Sequence, residues 1–372
     1  MNATAPVIAR LRDPAEVLAA LPYLLGFHPR DSLVVVTIRP GAPPTVGLVL
    51  RGDLPPPGHE HELVDQIRMP LLGAGGALVM LVMVGGRPNP PPAVVGMLRD
   101  ALSDDGVVVV RALWVESTAP GARWACLDRP ADAGVLPDTT SGQLAAAVAA
   151  AGLVTHADRD ELRRLVAPED DTALCRRAAL LDAAVAAAEL DRSPDRASAV
   201  ARDIQLVRLA VHACAGGRLP AGDHDVVRLA VALSEPVVRD SALALCLGDS
   251  TGAAERLWLA LTRATPPPEV AEPAALAALT AYLRGDGALA GMALDRALEA
   301  WPGHRLATLA DQVLRNGVPP CVVRQLLTDA CADAALDLEE DGGDDGEGYG
   351  YGDGYGGEFG ADYGADYELW TG

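Results

Sequence analysis

Residues 13–38 read DPAEVLAALPYLLGFHPRDSLVVVTI and predict a short helix, a turn and a buried strand. Asp13 suits the N-cap, because its side chain can accept a hydrogen bond from a free backbone N–H group of the first turn. Pro14 suits the first helical position, because proline has no backbone N–H group that would be left unpaired there. Gly26 is typical of the residue that ends a helix. The unbroken apolar run at 33–36 indicates a strand buried on both faces. This stretch therefore predicts an α/β domain at the N-terminus.

Strand and helix patterns alternate through residues 1–138, the predicted first domain. Strands are expected near 45–51, 77–84, 107–115 and 123–127, and helices near 63–72 and 91–102. Such alternation predicts an α/β domain with a mixed, partly parallel sheet. The short loop between the first two strands is also compatible with an antiparallel pair.

Residues 139–336 show helical patterns alone and predict an all-α second domain. Within it, Ala254, Leu261 and Pro266 have counterparts 36 residues later. This spacing resembles the tetratricopeptide repeat. A repeat-like array and a non-repetitive helical domain both explain the pattern, and both readings stay open.

Residues 337–372 form an acidic tail rich in tyrosine and glycine, and we expect it to be disordered. It holds twelve acidic residues and no arginine, so about −12 of the net charge of −21 lies there. The tail is either a binding segment for a basic partner or a solubilising extension.

The chain contains no lysine, and all thirty of its basic residues other than histidine are arginines. A Walker A phosphate loop and Schiff-base chemistry are excluded, because both need lysine. The acidic charge also argues against a nucleic-acid partner. The six cysteines contain no CxxC pair and are typical of free thiols in a reducing cytosol. Without a signal core or a long apolar run, we expect a cytoplasmic protein with no membrane association.

Four parts of the sequence resemble one known family. They are LPYLLGFHPRDSLVVVTI at 21–38, RGDL at 51–54, 111–114 with Arg123-Trp124, and the segment 285–302. Together they resemble the signature of an actinobacterial family catalogued as domain of unknown function 4192, over roughly residues 10–330. The resemblance implies no activity, because the family has none established. Its members often carry a cysteine cluster after the Arg-Trp pair, but only Cys126 follows here, so no metal site is carried over.

Five residues are candidate ligand contacts: His28, Asp31, Arg51, Asp53 and Arg87. A histidine near a carboxylate suits acid–base work, although both can equally serve the turn by hydrogen bonding. Arg51 and Asp53 close a strand, where α/β sheets bind ligands, or they form a local ion pair. Arg87 follows two glycines after a strand, where exposed amides can hold an anion.

No catalytic residue set, metal site or cofactor site is predicted. The first hypothesis is a non-enzymatic interaction, scaffold or regulatory protein with a protein partner. The alternative is an α/β enzyme or a nucleotide- or anion-binding domain with its site near Arg51, Asp53 and Arg87.

Overall fold

The computed structural model describes residues 13–41, 44–73, 78–86, 93–139, 142–150, 154–190 and 196–341. The first part alternates helices and strands: α1 (Pro14–Leu25), β1 (Ser32–Arg39), β2 (Thr45–Asp53), α2 (Glu60–Gly73), β3 (Leu78–Val84), α3 (Ala93–Asp104), β4 (Val108–Val115), β5 (Arg123–Cys126) and β6 (Ala133–Val135). The second part consists of α4 (Gln143–Ala150), α5 (Arg159–Arg164), α6 (Asp171–Leu190), α7 (Arg196–Ala215), α8 (Asp223–Ser234), α9 (Pro236–Leu243), α10 (Thr251–Ala264), α11 (Ala271–Arg284), α12 (Gly287–Ala300), α13 (Arg305–Arg315) and α14 (Pro320–Asp341).

The first helix, α1, begins and ends where its sequence predicts. The Asp13 side chain accepts a hydrogen bond from the Glu16 backbone N–H group at 2.9 Å. The helix continues through Pro22 and ends at Gly26, whose φ of +77° lies in the left-handed region that favours glycine. Its buried face includes Leu18, Leu21 and Leu25.

The described strands form one sheet in the order β2-β1-β3-β4-β5-β6. Only β3 and β4 are a parallel pair within it, and β1 is antiparallel to both β2 and β3. The predicted mixed, partly parallel sheet followed by helices is confirmed. The sequence did not predict β6, which has three exposed residues and no apolar pattern.

The strand directions bring several chain ends to one side of the sheet. Because β1 runs opposite to its two neighbours, its first residue, Ser32, lies beside Asp53 at the end of β2 and Val84 at the end of β3. We call this side the carboxyl edge. Open α/β sheets bind ligands beyond the carboxyl ends of their strands.

Both faces of β1 are buried, as its apolar run predicts. Leu33 and Val35 share a core with side chains of α2 and α3, among them Leu63. Val34 and Val36 point to the opposite face and belong to a second core with α1 and the later helices. The second core therefore joins the sheet to the helical part.

The change from strands to helices falls between β6 and α4. The described residues up to Cys331 group as one compact unit. The division into domains at 1–138 and 139–336 stays a prediction. The helix α14 continues to Asp341, and residues 342–372, which are most of the predicted tail, lie outside the described residues.

The helix α11 is the most buried of the later helices and lies against α10, α12 and α13. Its buried positions include many alanines, which let neighbouring helices approach closely. The bounds of α12 lie 36 residues after those of α10. The relation to tetratricopeptide repeats stays a prediction. None of the described helices combines the length and the apolar character needed to cross a bilayer.

The contact between β2 and α2 leaves no space for a side chain at Gly52. A Cβ atom there would overlap Cδ1 of Leu63, which is buried. We expect Gly52→Ala to lower the free energy of unfolding by about 1–3 kcal/mol, because overpacking forces neighbouring side chains to shift. Urea unfolding followed by circular dichroism measures this change.

Gly96→Ala on the exposed side of α3 is the matched control, since nothing lies within 4 Å of its added Cβ. There we expect stabilisation of about 0.5–1 kcal/mol, because alanine favours a helix interior over glycine. Equal effects of the two substitutions would contradict the close packing of β2 on α2.

Candidate functional site

The carboxyl edge brings together four of the five residues that the sequence singles out. Arg51 donates from Nε to the buried Ser32 hydroxyl at 2.8 Å and forms an ion pair with Asp53. Asp53 also accepts from Nη1 of Arg159 at 3.1 Å, which links β2 to α5. The Arg51 guanidinium lies 5.9 Å from the ring centre of Phe27, within cation–π range. Arg51 is therefore held from several sides.

His28 and Asp31 lie at the same edge. His28 Nδ1 is 2.9 Å from the Thr118 hydroxyl, and burial together with the nearby Arg30 lowers the pKa of His28, so its ring is neutral at neutral pH. Asp31 has a φ of +42° and accepts at its carbonyl from the Leu54 N–H group at 2.8 Å. Neither side chain lines the cavities described below. Arg87 lies outside the described residues.

Three distant segments meet at the end of α1. The carbonyl of Gly26 accepts from the His156 N–H group at 2.7 Å, and a Cβ on Gly26 would lie 3.7 Å from the Asp286 carboxylate. Asp286 is the N-cap of α12 and accepts from the Leu289 N–H group at 3.0 Å. Two of the four segments that resemble the family signature, 21–38 and 285–302, are thus neighbours in space.

A cavity of about 270 Å³ lies at this meeting point, and we call it the inner chamber. Its apolar wall comes from α1, α10 and α12 together with the loop before α5. Its polar lining consists of Tyr23, Thr155, His156, Glu255, Arg284 and Asp286.

The inner chamber contains two carboxylates and one guanidinium. Nη2 of Arg284 lies 2.9 Å from Glu255 Oε1 and 3.3 Å from Asp286 Oδ2. Burial raises the pKa of both Glu255 and Asp286, and Arg284 opposes that rise. Perturbed carboxyl groups in a cavity are typical of functional sites. His156 has a buried Nδ1 that makes no hydrogen bond within the described part of the chain.

A larger cavity of about 650 Å³, which we call the outer cleft, lies between β2 and the helices α12 and α13. It shares Tyr23, Leu24, Arg284 and Gly285 with the inner chamber, so the two cavities are adjacent. Its charged lining consists of Arg39, Arg51, Arg159, Arg284, Arg315 and Asp295.

The arginines of the outer cleft differ in their partners. Arg51 and Arg159 share Asp53, and Arg315 pairs with Asp311 at 2.6 Å. Arg39 makes no hydrogen bond or ion pair that the structure shows among residues 13–341 outside the gaps. One guanidinium at the cleft is therefore free to bind an anion.

Among the described residues, no group of three histidine, cysteine, aspartate or glutamate side chains is arranged to hold a metal ion. The His59 ring, just before α2, lies 3.0 Å from the Glu62 carboxylate. Cys126 is a buried free thiol in β5.

A family model described as "Domain of unknown function (DUF4192)" matches residues 14–321. The chain belongs to this family. The matched range contains every residue that lines the inner chamber and the outer cleft. No curated protein and no solved structure matches the chain.

Of the residues predicted from the sequence, Arg51 lines the outer cleft and Asp53 pairs with it, whereas the polar residues of the inner chamber were not predicted. Glu255 and Arg284 lie in helical patterns, where charged residues are normally solvated, and nothing local marks them. Asp286 had a signal in the Gly-Asp-Gly segment that resembles the family, and His156 had none.

The burial of Glu255 predicts that the free energy of unfolding depends on pH. Because burial raises the pKa of its carboxyl group, the folded chain keeps that proton to a higher pH than the unfolded chain, where the pKa is about 4.3. Stability is therefore lost as the pH rises through the raised pKa. The Glu255→Gln variant does not have this loss. The difference between its free energy of unfolding and that of the unsubstituted protein should therefore rise between about pH 5 and pH 7.5.

Urea unfolding at both pH values measures the difference. Glu299→Gln, an equivalent change at an exposed position of α12, should show no such trend. A relative stability of Glu255→Gln that falls with rising pH would contradict the burial of an incompletely compensated carboxylate.

Proposed function

We propose that this protein binds a small anionic ligand, carrying a phosphate or a carboxylate, in the outer cleft. The observation that carries the proposal is the set of five arginine side chains around one cavity. They come from both the sheet and the helices, so the cleft exists only when the two parts pack together. This is the alternative hypothesis of the sequence analysis, moved from the carboxyl edge towards the helices.

Charge and size support an anion. The chain as a whole has a net charge of −21, whereas the lining of the cleft has five arginines and one acidic residue. The cleft is therefore positively charged on a negatively charged protein. Guanidinium groups bind carboxylates and phosphates through paired hydrogen bonds. A volume of about 650 Å³ lies within the range of small-molecule sites.

The first hypothesis, a non-enzymatic interaction or scaffold protein, rested on missing catalytic motifs and on the acidic tail. Most of that tail lies outside the described residues, so the cavities carry the present proposal. It concerns binding and includes no reaction. A cytoplasmic location is part of the proposal, because all six cysteines are free thiols.

Anion binding should raise the melting temperature of the full chain. A ligand specific for the folded state stabilises it by about 2.7 kcal/mol at 100 times its Kd. We expect inorganic phosphate or pyrophosphate to stabilise the protein, and Arg39→Gln to weaken that affinity about tenfold, since hydrogen bonds to charged groups contribute about 1.5–3 kcal/mol. Differential scanning fluorimetry over a range of concentrations measures both effects.

The control is Arg218→Gln, which removes an exposed arginine that does not line the cleft. Chloride at the same ionic strength separates specific binding from screening. No stabilisation by any of the anions, or equal loss in the two variants, would overturn the proposal.

A further inference from the structure

The two adjacent cavities carry opposite charge. Among the side chains that line the inner chamber, Glu255 and Asp286 face one arginine, Arg284, so the lining itself has one excess negative charge. Arg256, outside the lining, also favours the charged form of Glu255. Around the outer cleft, the other four arginines face three carboxylates, so one positive charge is uncompensated. Those carboxylates are Asp53, Asp295 and Asp311.

The inner chamber also contains buried polar atoms that make no hydrogen bond in the described part of the chain: Glu255 Oε1, His156 Nδ1 and Arg284 Nε. Glu255 is only 8% exposed, and its Oε1 lies 2.9 Å from Arg284 Nη2 in an ion pair. His156 Nδ1 lies 3.7 Å from Glu161 Oε1. Buried polar groups are normally hydrogen-bonded, so these atoms indicate a missing partner.

We propose that the inner chamber binds the primary ammonium group of a small zwitterionic ligand whose anionic group lies in the outer cleft. This inference rests on the proposed function and adds the second half of the ligand. The ligand class is defined by one ammonium and one phosphate or carboxylate on the same small molecule.

An ammonium group fits the chamber in charge and in hydrogen bonding. Its single positive charge balances the uncompensated carboxylate. Its N–H donors match the carboxylate acceptors of Glu255 and Asp286. Burial raises the pKa of both carboxyl groups, in keeping with a chamber that lacks a countercharge. A neutral hydroxyl would supply a donor without the charge.

Matched ligand pairs test the inference on the full chain by isothermal titration calorimetry. One pair is 2-aminoethyl phosphate with ethyl phosphate, and the other is 4-aminobutanoate with butanoate. Within each pair only the first molecule carries the ammonium group. We expect at least one amine to bind about tenfold more tightly than its partner, as hydrogen bonds to charged groups imply. The pair that shows the larger ratio distinguishes a phosphorylated amine from an amino acid.

Glu255→Gln should reduce the ratio within that pair several-fold, because it removes the uncompensated charge. Glu299→Gln, exposed on α12, should retain the ratio. The comparison in the unsubstituted protein decides the question even where the Glu255 variant fails to fold.

The outcomes separate the two proposals. Binding of ethyl phosphate or butanoate without any gain from the ammonium group would overturn this inference and leave anion binding in place. A ratio that Glu255→Gln does not change would also overturn it. Binding of none of the four molecules, together with no stabilisation by phosphate, would overturn both.

Discussion

The structure depends on the junction at which Gly26, at the end of α1, binds the His156 backbone close to Asp286, the N-cap of α12. Gly26 adopts a left-handed conformation that side chains rarely tolerate, and its carbonyl binds the His156 backbone. Asp286 caps α12 and pairs with Arg284. One short junction therefore ends a helix, begins another and places charged groups beside a cavity.

Burying charged groups at this junction lowers the stability of the fold, and packing alone does not explain why they are buried. Glu255 and Asp286 are desolvated, and a single guanidinium serves both. Buried carboxyl groups with perturbed pKa values cluster at functional sites. The neighbouring arginines are partly paired and show the opposite imbalance of charge. The proposed ligand would supply the charges that the two cavities lack.

The sequence predicts local structure well and the site only in part. The apolar run 33–36 predicts burial on both faces of β1, and Gly26 predicts the end of α1, because period and turn chemistry are local properties. Arg51 and Asp53 were predicted as candidates because they end a strand, and their role stays a prediction. The inner chamber was not identifiable, because Glu255 comes from a helix more than 200 residues after the end of α1. Only tertiary packing brings these segments together.

Amide hydrogen exchange of the full chain, with and without saturating inorganic phosphate, tests whether a ligand site lies where the sheet meets the helices, since binding slows local opening at the site. We expect slower exchange in β2 and at the turn between α11 and α12, with α6 and α7 unchanged. Slower exchange confined to other parts of the chain, or no change anywhere, would contradict it.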